Sequence, residues 1–250
     1  MNQRNLFLLT INMLIGMAYL GLPTTVQAKT DPVLMVISNQ DFWHQGAAKL
    51  HRALHAHGLQ VVVAADLEGF AADHVGTPLD DLRADDYSGI IFAGGWGMAQ
   101  YQYGFEGTYH NSAYNKPAAA SRVNQLLADF ARQGKQIGAL GYAVSVLAWA
   151  RLDGRALLAG RTVSSWAGTT PGFDLYGHRT PSGTLPLREQ IEKQGATMVM
   201  SAALGDPQTA TDDVWVDGNI ITAENYDSAY AFAGYVADML SYRQDQTATR

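Results

Sequence analysis

The sequence predicts an α/β fold: a mostly parallel sheet with helices on both faces, in which one strand turns sharply into an apolar helix. Three observations predict it. Short continuous apolar runs recur along the chain, of the kind seen in strands buried on both faces. Helical patterns with start and stop signals lie between them. The stretch "KQIGALGYAVSVLAWA", Lys135 to Ala150, reads as strand, turn and helix, with Gly141 at the apex. Strands alternating with helices at this spacing form a parallel sheet sandwiched by helices, whose ligands bind beyond the carboxyl ends of the strands.

The elements follow in order. Pro32 to Ser38 is the first strand. The helix after it carries Ala48, Leu50, Ala53 and Leu54 on one stripe and stops at Gly58, a glycine in the position that closes helices in the left-handed conformation. Leu59 to Ala65 is β-branched and makes the second strand. Tyr87 to Gly95 is the third, ending in glycines. The next helix is bounded by Asn115 as a candidate cap, Pro117 in its first turn and Gly134. The strand "KQIGAL" and the helix "AVSVLAWARL" follow, then a further strand in "GRTVSSW", Gly160 to Trp166. Ala167 to Pro186 reads as one long loop and Arg188 to Gln194 as a short polar helix. "DVWVDGNIIT" is a hairpin turning at Asp217-Gly218, and Asp227 to Tyr242 is a closing helix with Ala229, Phe232, Val236, Met239 and Leu240 inward. Three turns lie at the carboxyl ends of strands: 39–46, 94–103 and 141–143.

The first 28 residues have a different character. One positive charge at Arg4 precedes the apolar run Leu6 to Leu22, and "VQA" at Val26 to Ala28 puts small residues at a cleavage site. This is the layout of a secretory signal peptide, the alternative being a retained anchor. The expected organisation is a leader over 1–28, one domain over 29–242 and a flexible tail over 243–250, in a secreted or periplasmic protein that is off the membrane once the leader is cleaved. The formal charge of −6 and pI near 5.5, without a basic stripe, argue against nucleic acid. The chain has no cysteine, which excludes thiolate catalysis, thiolate metal sites and thiol redox switching.

Four segments in order resemble the ThiJ/PfpI family of the class I glutamine-amidotransferase-like fold: "VLMVIS", "DDYSGIIFAGGWG", "KQIGALGYAVSVLAWARLDGRALLAGRTVSSW" and "VDGNIITAENYDSAYAFAGYVADML". The resemblance covers nearly all of Val33 to Leu240 and implies a flavodoxin-like three-layer sandwich with a nucleophile elbow. Enzymes of the family, among them glyoxalase- or deglycase-like proteins, peptidases and hydratases, write that elbow as Ala-x-Cys-(often His)-Gly. Laid on Ala139 to Ala143, it puts the cysteine position at Gly141, the histidine position at Tyr142 and the following glycine at Ala143. The family's glutamate, which bonds the cysteine, falls on Gly46, after Gln45. A thiolate needs a sulfur and a stabiliser, and this chain has neither.

Other groups give weaker alternatives. An elbow without its nucleophile keeps backbone amides that suit an anion or carboxylate. Ser145 lacks a Gly-x-Ser-x-Gly context. Tyr142 is a poor base at neutral pH, since a phenol titrates near ~10. His51 and His55, at i and i+4, have no third ligand near them in sequence and read as a solvated helix face. His44, His110 and His178 lie toward the same end of the sheet, where a metal-assisted site would need them to converge. Gly94 to Asn115 gathers Trp96, Tyr101, Tyr103, Phe105, Tyr109 and Tyr114 in one loop, as a ligand lid, a subunit contact or a loop packed on itself. Gly95-x-Gly97 is not a dinucleotide fingerprint, because Gln100 stands where the third glycine belongs. Trp166 resembles a pocket-lining position of the family.

The reading is therefore a non-catalytic protein that binds a small polar or anionic ligand, or a partner protein, at the degenerate elbow. The expected ligand-binding residues are Gln45, Gly46, Gly95, Trp96, Gly97, Tyr101, Gly141, Tyr142, Ala143 and Trp166. No cofactor and no metal is expected, and the family's habit implies a homo-oligomer such as a homodimer. The alternative is a hydrolase or lyase (glyoxalase-, amidase- or hydratase-like) with a relocated site using Tyr142, His44 or a loop histidine with a metal.

Overall fold

The computed structural model describes residues 31–41, 43–66, 76–109, 111–166, 185–199 and 213–248. The leader over 1–28, most of the 167–186 loop, His110 and His178 lie outside the described residues.

A seven-stranded sheet is built from β1 (Val33–Val36), β2 (Val61–Ala65), β3 (Thr77–Pro78), β4 (Gly89–Phe92), β5 (Gln136–Leu140), β10 (Val214–Asp217) and β11 (Ile220–Ala223). Its order is β10-β11-β5-β4-β1-β2-β3, and every neighbouring pair is parallel except the β10–β11 hairpin. The chain steps outward from β1 to β2 and β3, then returns to β4 on the other side of β1. The switch point, where such sheets bind ligands, therefore lies between β1 and β4.

Alternation along the strands fills both faces. Leu34, Val36, Ile90, Phe92, Ile137 and Ala139 share one core with Leu126, Leu127 and Phe130 of α2 (Pro117–Arg132), Val146 of α3 (Val144–Trp149) and Leu187 of α4 (Leu187–Lys193). Val33, Met35, Ile91 and Ile221 share the other with Leu50 and Leu54 of α1 (His44–Ala56) and Phe232 and Val236 of α5 (Ala229–Ala248). The fold is thus the three-layer α/β sandwich that the strand-helix alternation predicts.

Several local features differ from the sequence expectation. The buried face of α1 is Gly46, Ala47, Leu50, Ala53 and Leu54, while Ala48 is exposed. Lys116, not Asn115, is the N-cap of α2, and Asn115 closes the preceding 3₁₀ turn Ser112–Tyr114. Pro117 fixes that start, since it lacks the amide a cap would satisfy. α3 ends at Trp149 because Asp153 (φ 50°) and Gly154 (φ 81°) fold a hairpin of β6 (Arg151–Leu152) and β7 (Arg155–Ala156). The loop of the β10–β11 hairpin is Gly218-Asn219 rather than Asp217-Gly218, since Asp217 pairs with Ile220 and Gly218 has φ 62°.

β8 (Thr162–Val163) pairs with β9 (Thr197–Met198) outside the main sheet. Asp217 ties it to the hairpin, accepting from Thr162 N at 2.9 Å and Arg161 at 2.7 Å. α5 continues to Ala248, through most of the segment expected as a flexible tail, because Arg, Gln and Ala are good helix formers.

Candidate functional site

β5 delivers the chain into a 3₁₀ turn, Gly141–Ala143, that leads directly into α3. Gly141 has φ 57°, the left-handed conformation that lets a strand reverse into a helix within one residue. A Cβ built there would lie 3.3 Å from the carbonyl of Glu224 and 4.0 Å from Asn225 Cα. The elbow is present in its backbone, and a side chain at Gly141 would be strained by the positive φ and held tightly against the Glu224 carbonyl. Ser165 Oγ donates to the Gly141 carbonyl at 3.1 Å, fixing the apex from the strand side.

The glycines after β4 complete the turn. Gly94 sits against the elbow so closely that a Cβ would fall 2.4 Å from the Leu140 carbonyl and 3.5 Å from Tyr142 N. Tyr226, in the 3₁₀ turn before α5, donates its hydroxyl to the Gly94 carbonyl at 2.7 Å. Its ring lies against α1, where a Cβ on Gly46 would be 2.3 Å from Cδ2 and 2.5 Å from Cε2. A glutamate at position 46 would have no space. Exposed Trp43 packs edge-on against Tyr226 at 5.4 Å.

Tyr142 turns away from the apex into a buried amide network. Its hydroxyl lies 3.3 Å from Gln190 Nε2, and Gln190 Oε1 accepts from Gln102 Nε2 at 2.8 Å and from Trp149 Nε1 at 3.0 Å. Burial pushes the phenol's pKa up, against a smaller lowering by the hydrogen bonds from Gln190 and Gln102, so Tyr142 stays neutral and is no base. Trp96 packs against Tyr142 at 4.8 Å with the rings tilted by 57°, and meets Trp166 edge-on at 5.0 Å. These three rings form an aromatic wall beside the elbow.

The sequence-predicted residues thus divide into two groups. Gly46, Trp96, Gly141, Tyr142, Ala143 and Trp166 gather at or beside the elbow, with half-buried Gly95 (φ 137°) linking Gly94 to Trp96 and Gln45 exposed next to Gly46. Gly97 and Tyr101 serve the β1 side instead. A Cβ on Gly97 would strike the Gln40 carbonyl at 1.8 Å. Tyr101 donates to the Ile37 carbonyl at 2.9 Å and accepts from Asp66 N at 3.0 Å. Both hydroxyl bonds of Tyr101 go to backbone, so it pins its turn to the ends of β1 and β2.

The described part of the aromatic loop is tied down in the same manner. Tyr114 donates to Asp41 and Gln40 donates to the Ala113 carbonyl at 3.1 Å. Lys116 pairs with Asp66 at 2.8 Å, while Phe105 packs on Tyr109 at 4.8 Å and Trp149 at 5.1 Å.

His44 and His55 are exposed and His51 is half-buried. Among the described residues no group of three or more His, Asp or Glu side chains could hold a metal ion. Sequence reasoning missed Tyr226 and Glu224, the latter wholly buried with its carbonyl nearest the apex. The only signal was the "ENYDSA" stretch, in which Asn225 caps the turn by accepting from Asp227 N.

The sequence matches no family model and no curated protein. Solved structures do match. The chain is similar to a ThiJ/PfpI domain protein from Brachyspira murdochii at 18% identity and TM-score 0.59, covering 86% of this chain and 98% of that one. It is similar to DJ-1beta from Drosophila melanogaster at 20% identity and TM-score 0.56, over 84% and 91% of the two chains. Glyoxalase III from Candida albicans aligns at 15% identity and TM-score 0.56, over 83% and 97%. The chain has the fold of the ThiJ/PfpI and DJ-1 proteins.

Proposed function

We propose that this chain is an exported, degenerate relative of the ThiJ/PfpI proteins that performs no cysteine chemistry and holds a small polar or anionic ligand at its elbow. One observation carries the reading. The elbow backbone keeps its left-handed apex at Gly141, while the place of the expected carboxylate at Gly46 is filled by the Tyr226 ring. Both halves of a nucleophile pair are missing and the second half is blocked, so the fold supports binding rather than covalent turnover.

The ligand's polar end would meet the backbone of the Gly141–Ala143 turn, and its body the wall of Trp96 and Trp166. Amides at such a turn suit negative charge, and indole faces suit the apolar remainder of a small molecule. The leader-like first 28 residues support export, and assembly into a homodimer is part of the same proposal.

The test is tryptophan fluorescence of the full chain, titrated with acetate, glyoxylate and inorganic phosphate, beside turnover assays with α-oxoaldehydes, amides and isocyanides. A saturable spectral change that disappears in Gly141→Leu, with no turnover, is expected. Robust turnover of any of those substrates, abolished by Gly141→Leu, would overturn the proposal.

A further inference from the structure

We propose that Ser38 and Gln100 line a second, enclosed polar site at the switch point between β1 and β4, distinct from the elbow, that holds a water molecule. Ser38 and Gln100 are both wholly buried. Among the described residues, neither Ser38 Oγ nor either end of the Gln100 amide has a hydrogen-bond partner. Burying a hydroxyl and a carboxamide without partners costs several kcal/mol in the interior, so such groups pair with protein or with ordered water.

Their placement brings them to one side of one turn. Ser38 follows β1, and a Cβ on Gly97 would lie 2.7 Å from its Oγ. Gly97 and Gln100 are three apart in the 3₁₀ turn Trp96–Tyr101. In that geometry residues i and i+3 project from the same side, so Gln100 leaves the turn on the side that faces Ser38. The neighbouring bonds hold both walls: Tyr101 to the Ile37 carbonyl at 2.9 Å, and Gly97 N to the Asp41 carbonyl at 3.3 Å.

The chemistry of the walls selects the guest. Gln100 offers one acceptor and two donors, and Ser38 one of each, so the guest must be uncharged and both donate and accept. Both side chains are wholly buried, and an enclosed guest of that chemistry is water, which makes up to four such bonds at internal sites. Bound there, it tethers the turn carrying Trp96 to the end of β1, and so holds the aromatic wall of the elbow from the strand side.

A high-resolution crystal structure of the full chain tests the site directly, and a double-mutant cycle tests it in solution. Expected are an ordered water within hydrogen-bond distance of Ser38 Oγ and the Gln100 amide, and urea midpoints for Ser38→Ala, Gln100→Met and the pair that are not additive. The double variant should fall little further than the worse single one, because the second substitution removes a group that the first has orphaned. If Ser38→Ala fails to fold, Ser38→Cys replaces it in the cycle. A Gln100 amide bonded directly to protein atoms with no water beside it, or additive losses, would overturn the proposal.

Discussion

The ring of Tyr226 lies where a side chain at Gly46 would begin: a Cβ there would stand 2.3 Å from Cδ2. The two residues come from α1 and the approach to α5, and the tyrosine hydroxyl continues to the Gly94 carbonyl at 2.7 Å. A single ring thereby joins α1, the turn after β4 and the approach to α5. Gly46→Ala should destabilise by about 1–3 kcal/mol through overpacking, read as a lower urea midpoint. Pairing it with Tyr226→Ala should cost less than the sum of the two single changes. Additive losses would mean that ring and helix do not compete for this space.

Cysteine at the apex should not restore chemistry. Gly141→Cys places a residue with a Cβ at φ 57°, at a strain of about 1–2 kcal/mol, in a space whose nearest atom is the Glu224 carbonyl at 3.3 Å. The variant should fold, with a lowered midpoint, and show no turnover of α-oxoaldehydes, because Tyr226 leaves no room for a carboxylate on α1. Measurable turnover by Gly141→Cys alone would show that the elbow activates a thiol without that partner.

Much of this architecture is legible in the sequence because period-2 and period-3.6 patterns report burial directly. Leu34 and Val36 against Val33 and Met35 announce a strand buried on both faces, and Gly58 and Gly134 mark helix ends with positive φ. Gly141 as apex is legible too, since only a strand-turn-helix pattern surrounds it. Tyr226 is not, because its role depends on α1 and the approach to α5 meeting in space, far apart in sequence. Tyr101 illustrates the opposite failure. An aromatic residue in a glycine-rich loop suggests ligand contact, yet its hydroxyl is used by the backbone at Ile37 and Asp66. Asp153-Gly154 carries a hairpin signal that the apolar run before it conceals; the run continues in sequence after the helix has stopped at Trp149.

Acid should loosen the hairpin end of the sheet through Asp217. The Thr162 amide first, and the Arg161 guanidinium after it, hold this carboxyl below its ordinary range. A carboxylate with a lowered folded pKa contributes stability that is present above its unfolded pKa, near ~3.9, and is lost as pH falls through the folded value. Urea midpoints should therefore fall as pH drops from 6 to 3. Asp217→Asn should lower the midpoint at pH 6 and flatten that dependence. An unchanged acid slope in the variant would remove Asp217 as a contributor.

Alkali should act through the buried tyrosines, and Tyr142 is the informative one. Burial raises its pKa more than the hydrogen bonds from Gln190 and Gln102 lower it, and burial likewise raises Tyr101 and Tyr226. The unfolded chain ionises its phenols near ~10 while the folded chain keeps these protonated, so above that pH the unfolded state binds fewer protons and stability falls as pH rises. Half-buried Tyr109, pushed up to about 12 chiefly by burial, adds to the same loss. Tyr142→Phe should cost about 1 kcal/mol at neutral pH, since the partner amides lose one acceptor, and should make the decline above pH 10 shallower. Tyrosinate absorbance followed through the same titration separates the causes. Ionisation of Tyr142 in the folded protein at its ordinary pH would mean that the hydroxyl is reached by solvent, and the amide network would then have to open before the fold does.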